Sequence, residues 1–207
     1  MPNQKTPESG RKSAYVARNR AAILNATLVV LAKHGKDATV EQVAEQTEMA
    51  LSTIYKHFKN KEELVLETIL DSFEKWEAGV ELQAQGFKDP LERFVYPMRH
   101  FVRINRTHPH QAQILVNYFD VLAKITPILQ SKLLGYIEEL SKTSIISLKD
   151  PVAAARNMYA VLAFAVITQV TNPKSKESDG DDSVRVALSM LGISEAKAKK
   201  LTESKIN

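Results

Sequence analysis

The chain has 207 residues, 44% of them hydrophobic, with no cysteine and a formal net charge of +4. The lack of cysteine excludes a disulfide framework, a thiolate nucleophile and cysteine-ligated zinc, and suits a reducing compartment. The charge is unevenly placed: residues 1–61 hold ten Lys/Arg against five Asp/Glu, a net +5, while the remainder holds eighteen against nineteen, a net −1. A basic first third on a near-neutral remainder is the footprint of a polyanion-binding head. The length accommodates such a head and a body of ordinary domain size. The N-terminal residues lack the apolar core of a signal peptide. The longest apolar stretch, Met158 to Val170, is shorter than the about 20 residues that span a bilayer.

Residues 1–16 are polar and aperiodic and predict a disordered basic arm. From Arg18 to Lys33 the pattern is helical, with Ile23, Ala26, Thr27, Val30 and Leu31 on one face and Gly35 as the stop. Thr39 to Gln42 has the form of a capping box and opens a short helix to Thr47. Glu48, Met49 and Ala50 link it to a third helix over Leu51–Phe58, and Lys61 opens a fourth through Leu64, Ile69, Phe73 and Trp76. Pro90, Pro109 and Pro127 each suit a first helical turn, where a missing N–H costs nothing; the expected helices end near Arg106, Ala123 and Ser144. Asp150-Pro151 starts a long helix to Thr171. Asn172 to Ser183 has no apolar residue and predicts a mobile surface loop. Ser183 caps a helix with Val184, Ala187, Leu188 and Leu191 on one face, stopped by Gly192, and a short helix over Ser194–Thr202 follows. Strand-type alternation and internal repeats are absent from the sequence. The fold class is all-α: a three-helix head and a helical-bundle body.

Two short helices joined by a tight turn, next to a basic segment, make a helix-turn-helix. Val43 and Ala44 face inward on the first helix, and Met49 fills the turn. Ile54 and Phe58, four apart, pin the second helix to Ile23, Val30 and Leu64. Leu51, Ser52, Thr53 and Lys56 are left on the outer face near the helix start, where a recognition helix meets base edges in the major groove.

The stretch VEQVAEQTEMALSTIYKHFKNKEEL resembles the head signature of the tetracycline-repressor (TetR) family, with Tyr55, Phe58 and Lys61 in its Tyr-x-x-Phe-x-x-Lys run and the usual histidine at His57. The resemblance covers residues 18–64 closely and the rest as an all-helical architecture of matching length. It implies a homodimeric, DNA-binding transcriptional regulator, in most cases a repressor, in the bacterial cytoplasm and on the nucleoid when bound to DNA. Thr39, Tyr55, His57 and Lys61 would hold phosphates, which sets register, while Leu51, Ser52, Thr53 and Lys56 would read bases. Arg11, Lys12 and Arg18 are further candidates for phosphate or the minor groove. Three departures stand out. The usual turn glycine is Glu48, which costs on the order of 1 kcal/mol if φ is positive there. The usual serine N-cap is Ala50, a loss of about 1 kcal/mol. The Gly35–Val40 connection is one residue shorter than usual.

The resemblance divides the chain into an arm (1–16), a helix-turn-helix domain (17–62), an effector-binding and dimerisation body (63–193) and a C-terminal tail (194–207). The segment 152–171 is apolar nearly all round and needs cover on two sides. A homodimer through helices 152–171 and 184–191 supplies the second cover, since helix-turn-helix heads usually need a twofold pair; the alternative is the central helix of a monomeric bundle. Candidate walls of an effector site are Trp76, Phe94, Met98, Phe101, Tyr118, Tyr136 and Tyr159, with Asn105, Asn117 and Asn157 as polar groups to orient a small, largely apolar molecule. Ile114 and Met158 are further apolar candidates. Core packing accounts equally for the aromatics, and plain exposure for the asparagines. His100, His108 and His110 lack a carboxylate at ligand spacing, and Asp179-Gly-Asp-Asp182 lacks the spaced ligands of a calcium loop. Metal, cofactor and membrane are therefore not expected. A phosphate loop, a nucleophile elbow and a His-Glu-x-x-His helix are all missing, so the sequence does not read as an enzyme. Two other readings fit the same residues. One is a regulator of this fold controlled by a protein partner without a pocket. The other is a helical carrier or enzyme with a vestigial head.

Overall fold

A computed structural model describes residues 7–204, except for the side chains of residues 7–9, 122, 123 and 125. The described residues contain helices and no strand. They form two compact units, divided between Phe73 and Glu74. The division falls further along than the expected 62/63, because the fourth helix runs on as one rod through the expected boundary.

In the first unit, α1 spans Pro7–His34, α2 Val40–Thr47, α3 Leu51–His57, and α4 begins at Lys61 and continues to Ala84 in the second unit. The expected arm is corrected from residue 7 onward: the segment is the start of α1, with Pro7 in its first turn and helix formers such as Arg11, Lys12, Ala14 and Ala17 behind it. Residues 1–6 of that arm lie outside the described residues. A single 3-10 turn, Gly35–Asp37, joins α1 to α2, with Gly35 at φ +57°.

α2 starts as its capping box dictates. The Thr39 hydroxyl accepts from the Gln42 N–H at 3.3 Å, and the Thr39 N–H donates to Gln42 Oε1 at 2.9 Å. It stops at Glu48, which adopts φ +54°, ψ +29° and sends its N–H back to the carbonyls of Ala44 and Glu45. A left-handed residue with a Cβ is strained there. Glu48→Gly is therefore expected to raise the stability of the head by about 1 kcal/mol in denaturant melts; an unchanged or lowered midpoint would show that the Glu48 side chain contributes more than its backbone costs. Ala50 caps α3 without a side-chain hydrogen bond. The start of α4 has a cap that the apolar pattern does not display: Asn60 Oδ1 accepts from the Glu63 N–H at 2.8 Å, and Glu63 Oε2 accepts from the Lys59 N–H. Ile23, Leu24, Val30, Leu31, Val43, Ile54, Phe58 and Leu64 form the buried interior of the head.

In the second unit, α5 spans Pro90–Val102, α6 Ile104–Thr107, α7 Pro109–Asn117, α8 Phe119–Lys142, α9 Pro151–Thr171, α10 Glu177–Ser189 and α11 Glu195–Glu203. Three expected helices change shape. The one opened by Pro90 breaks at Arg103, whose φ −107°, ψ 8° interrupts the winding. The one opened by Pro109 ends at Asn117, because Tyr118 turns out of helical geometry. Pro127 does not open a helix; α8 begins at Phe119 and carries Pro127 in its third turn, losing one backbone donor. α9 has the expected N-cap, with Asp150 Oδ1 accepting from the Ala153 N–H at 2.9 Å. Its 21 residues are long and apolar enough to cross a membrane by composition, more than the 158–170 stretch suggests. It packs against α5, α7, α8 and α10 as the central helix of the body.

The largest departure lies at residues 172–183. Only the first few residues form a connection, pinned by Gln169 Nε2 donating to the Lys176 carbonyl at 2.7 Å. α10 already begins at Glu177. Gly180 and Asp181, read as solvated loop, are buried. A Cβ on Gly180 would meet Val102 Cγ2 at 3.0 Å, so the glycine lets α10 lie close on α5. Asp181 accepts from Arg99 Nε at 3.0 Å and from Arg103 Nη2, and Arg103 Nε also reaches Glu177 at 2.6 Å. Burial works against the Arg103 charge, yet its hydrogen bonds to Asp181 and Glu177 outweigh that and hold its pKa above the usual arginine value. Arg99 then donates to the carbonyls of Leu201 (3.3 Å), Thr202 (2.5 Å) and Ser204 (2.8 Å), capping α11. The expected tail is thus a helix of the body, with Ala198, Leu201 and Thr202 buried.

Candidate nucleic-acid interface

Burial sorts α3 by face. Ile54 is 0% exposed and Phe58, its C-cap, 1%. Ser52, Tyr55 and Lys56 are exposed and recur at three- and four-residue steps, so they share the outward side. Leu51 and Thr53 flank that side and are half-buried. Tyr55, at 47% exposure, is a surface residue and not core. His57 is half-buried, with its ring 6.3 Å from that of Phe58. A hydroxyl, a phenol and an ammonium group on one short rod give a row of donors over an apolar base, the chemistry that phosphate oxygens and base edges accept.

Two more predicted residues lie at the starts of α2 and α4, the elements on either side of α3 in the chain. Thr39 is exposed, and because its oxygen accepts from Gln42 its hydroxyl proton remains available to donate outward. Lys61 Nζ donates to the Lys36 carbonyl at 3.1 Å, tying the first turn of α4 to the 3-10 turn after α1. An ammonium has three donors, so this tie and a phosphate contact are compatible.

Sequence reasoning passed over three residues here. Lys59 is exposed just beyond the C-cap of α3. Asn60 is an N-cap, legible in the Asn60–Glu63 spacing. Arg20 lies with its guanidinium 5.4 Å from the centroid of the Phe58 ring and pairs with Glu67 of α4, so it clamps the end of α3. Nothing in the local pattern distinguishes Arg20 from its basic neighbours.

Residues 23–68, which contain α2, α3 and the adjoining parts of α1 and α4, match the family described as bacterial regulatory proteins, tetR family. Over these residues the chain is similar to the TetR family. The HTH-type transcriptional repressor KstR of Mycolicibacterium smegmatis is 26% identical over 113 residues, covering 54% of this chain and 55% of KstR. The match therefore spans about half the length of that curated relative. Among solved structures, RolR in complex with its ligand resorcinol has a TM-score of 0.76 at 17% identity, covering 94% of this chain and 98% of RolR. The regulator FadR of Bacillus subtilis, in complex with stearoyl-CoA, has a TM-score of 0.67 at 19% identity, covering 90% and 99%. At such identities the likeness speaks for the fold alone.

The predicted effector-site residues all lie in the second unit. Phe94 and Met98 are buried in a core shared with Ile137, Met158, Leu162 and Val184, with Phe101 packed at its edge. The Trp76 and Phe101 rings meet at 5.7 Å. Tyr118 is buried, Asn117 accepts from Gln113 at 3.2 Å, and the Tyr159 hydroxyl accepts from Thr126 at 3.5 Å. Tyr136 and Asn157 lie on the exposed surface. Asn105 Nδ2 reaches the Gln169 carbonyl at 3.5 Å, but its buried Oδ1 has no partner among the described atoms, and neither has His100 Nε2. Burial, then Arg103, Arg99 and His108, lower the His100 pKa and favour its neutral form.

Proposed function

We propose that the chain is a homodimeric transcriptional regulator that binds a double-stranded DNA operator through α2 and α3. It acts in the cytoplasm as a repressor, released by a small, largely apolar effector held in the body. The observation that carries this reading is the division of α3, with Ile54 and Phe58 anchored beneath and Ser52, Tyr55 and Lys56 facing out. In this reading Thr39, Tyr55, His57 and Lys61 hold phosphates, while Leu51, Ser52, Thr53 and Lys56 read bases. The homodimer uses the outer faces of α9 and α10, where Val152 (60%), Phe164 (62%) and Val186 (50%) are exposed apolar side chains. A twofold pair of heads matches a pseudo-palindromic site.

The effector reading draws support from the solved relatives that hold resorcinol and stearoyl-CoA, and from the unpartnered Asn105 Oδ1 beside apolar core. An effector that favours the conformation unable to bind DNA shifts the population between two states, with α4 as the connecting rod. The test is selection of genomic fragments with purified protein, followed by variants on the selected site. Lys56→Ala should alter preference among sequences, with about 1–3 kcal/mol lost at the base it reads. Tyr55→Phe with Lys61→Ala should weaken binding to all sequences alike. Failure of the unaltered chain to shift any genomic DNA at low salt would overturn the reading.

A further inference from the structure

The first three turns of α1 stand outside the packed head. Every residue from Gly10 to Arg18 is exposed, including Tyr15 at 58%. The helix becomes anchored only from Arg20, through Phe58 and Glu67, and from Ile23 and Leu24, which are buried. A stretch of thirteen residues, 7–19, therefore projects about 20 Å beyond that anchor. Its anchor touches Phe58, which directly follows the turn of α3 that holds Tyr55 and Lys56. The projection thus starts at the edge of the proposed DNA-binding face.

Its charge is one-sided. No acidic residue occurs from Ser9 to Lys36, and Glu8 is the sole acid of α1. Arg11, Tyr15 and Arg18 follow one another at four- and three-residue steps and so share a stripe, with Lys12 about a quarter-turn round. An exposed aromatic between two guanidiniums, on turns that are exposed throughout among the described residues, is poorly explained by folding. It suits a row of phosphates, which guanidiniums grip in bidentate fashion and to which a phenol donates.

We propose that the exposed N-terminal turns of α1, through Arg11, Lys12, Tyr15 and Arg18, form a second contact with the DNA sugar–phosphate backbone beside the helix-turn-helix footprint. The contact is sequence-independent, and it rests on the DNA-binding reading above.

The test measures binding of the full chain to a random-sequence duplex of about 40 base pairs by fluorescence anisotropy, over about 50–200 mM salt. Each lost phosphate contact lowers the log–log salt slope by about 0.9. The triple variant Arg11→Ala/Lys12→Ala/Arg18→Ala should therefore lower it by about 2–3 per protomer and weaken binding at the low-salt end at least about tenfold. The charge-keeping variant Arg11→Lys/Arg18→Lys should retain most of the slope. Lys56→Ala/Lys59→Ala, on α3 and just after it, serves as the comparison. If that pair weakens binding while the triple variant keeps the parental slope and affinity, the α1 contact is wrong and the DNA-binding reading stands. A Lys-for-Arg variant that falls as far as the triple variant also overturns the contact, since charge would not be its basis. If the unaltered chain fails to bind the duplex, both fall together.

Discussion

Asp181→Ala is expected to destabilise the body by about 3–5 kcal/mol in denaturant melts, the cost of leaving a buried partner charge without its counterpart. Arg99 and Asp181 have side chains only 6% and 12% exposed and meet through Nε and Oδ1. Removing the carboxylate strands the Arg99 guanidinium inside the body and leaves Arg103 with only Glu177 as its acidic partner. Glu177→Ala is the control, because its side chain is 54% exposed and water replaces it; its loss should stay below about 1 kcal/mol. An apolar swap of the pair, Arg99→Met with Asp181→Ala, should not restore stability. Arg99 also donates to the carbonyls of Leu201, Thr202 and Ser204, and these lose their donor in the swap. A loss below about 1 kcal/mol for Asp181→Ala would mean that water enters and solvates Arg99.

Phe58→Ala is expected to cost the head about 3–5 kcal/mol, the range for emptying a fully buried aromatic site. Phe58 is 1% exposed and follows directly on the last turn of α3; the Arg20 guanidinium over its ring holds the other side. Truncation opens a void under the helix that carries Tyr55 and Lys56, so DNA binding should fall together with the melting transition of the head. Tyr55→Ala separates the two effects. Its side chain is 47% exposed, so stability should change by less than about 0.5 kcal/mol while DNA affinity falls. If Phe58→Ala leaves the melt unchanged, α3 is not held from beneath in the way its burial indicates.

Much of the head was legible because its signals are local. The capping box at Thr39, the four-residue step from Ile54 to Phe58 and the stop at Gly35 each act within one or two turns, and each appears where the pattern places it. The outward position of Ser52 and Lys56 follows from the same periodicity. Tyr55 was harder to place, since a tyrosine suits core and surface alike, and only its burial decides. The proline rule worked at Pro90, Pro109 and Pro151 and failed at Pro127, where α8 continues through a residue that locally disfavours it. Arg103 and Tyr118 break helices without any proline or glycine, so no local mark announces them.

By itself the amino-acid sequence determined an all-α chain, the helix-turn-helix, the apolar anchors beneath α3 and the basic bias of the first third. These rest on propensity, periodicity and capping, which act over a few residues. Tertiary structure alone decided that 177–183 is helix, that Asp181 is buried, and that the C-terminal residues belong to the body. The reason is physical. The inward face of that segment is a glycine and a carboxylate, which count as solvent-seeking in any window of sequence. They become interior only because Val102 leaves room for no Cβ, and because Arg99 and Arg103, some eighty residues away in the chain, bring the opposite charge.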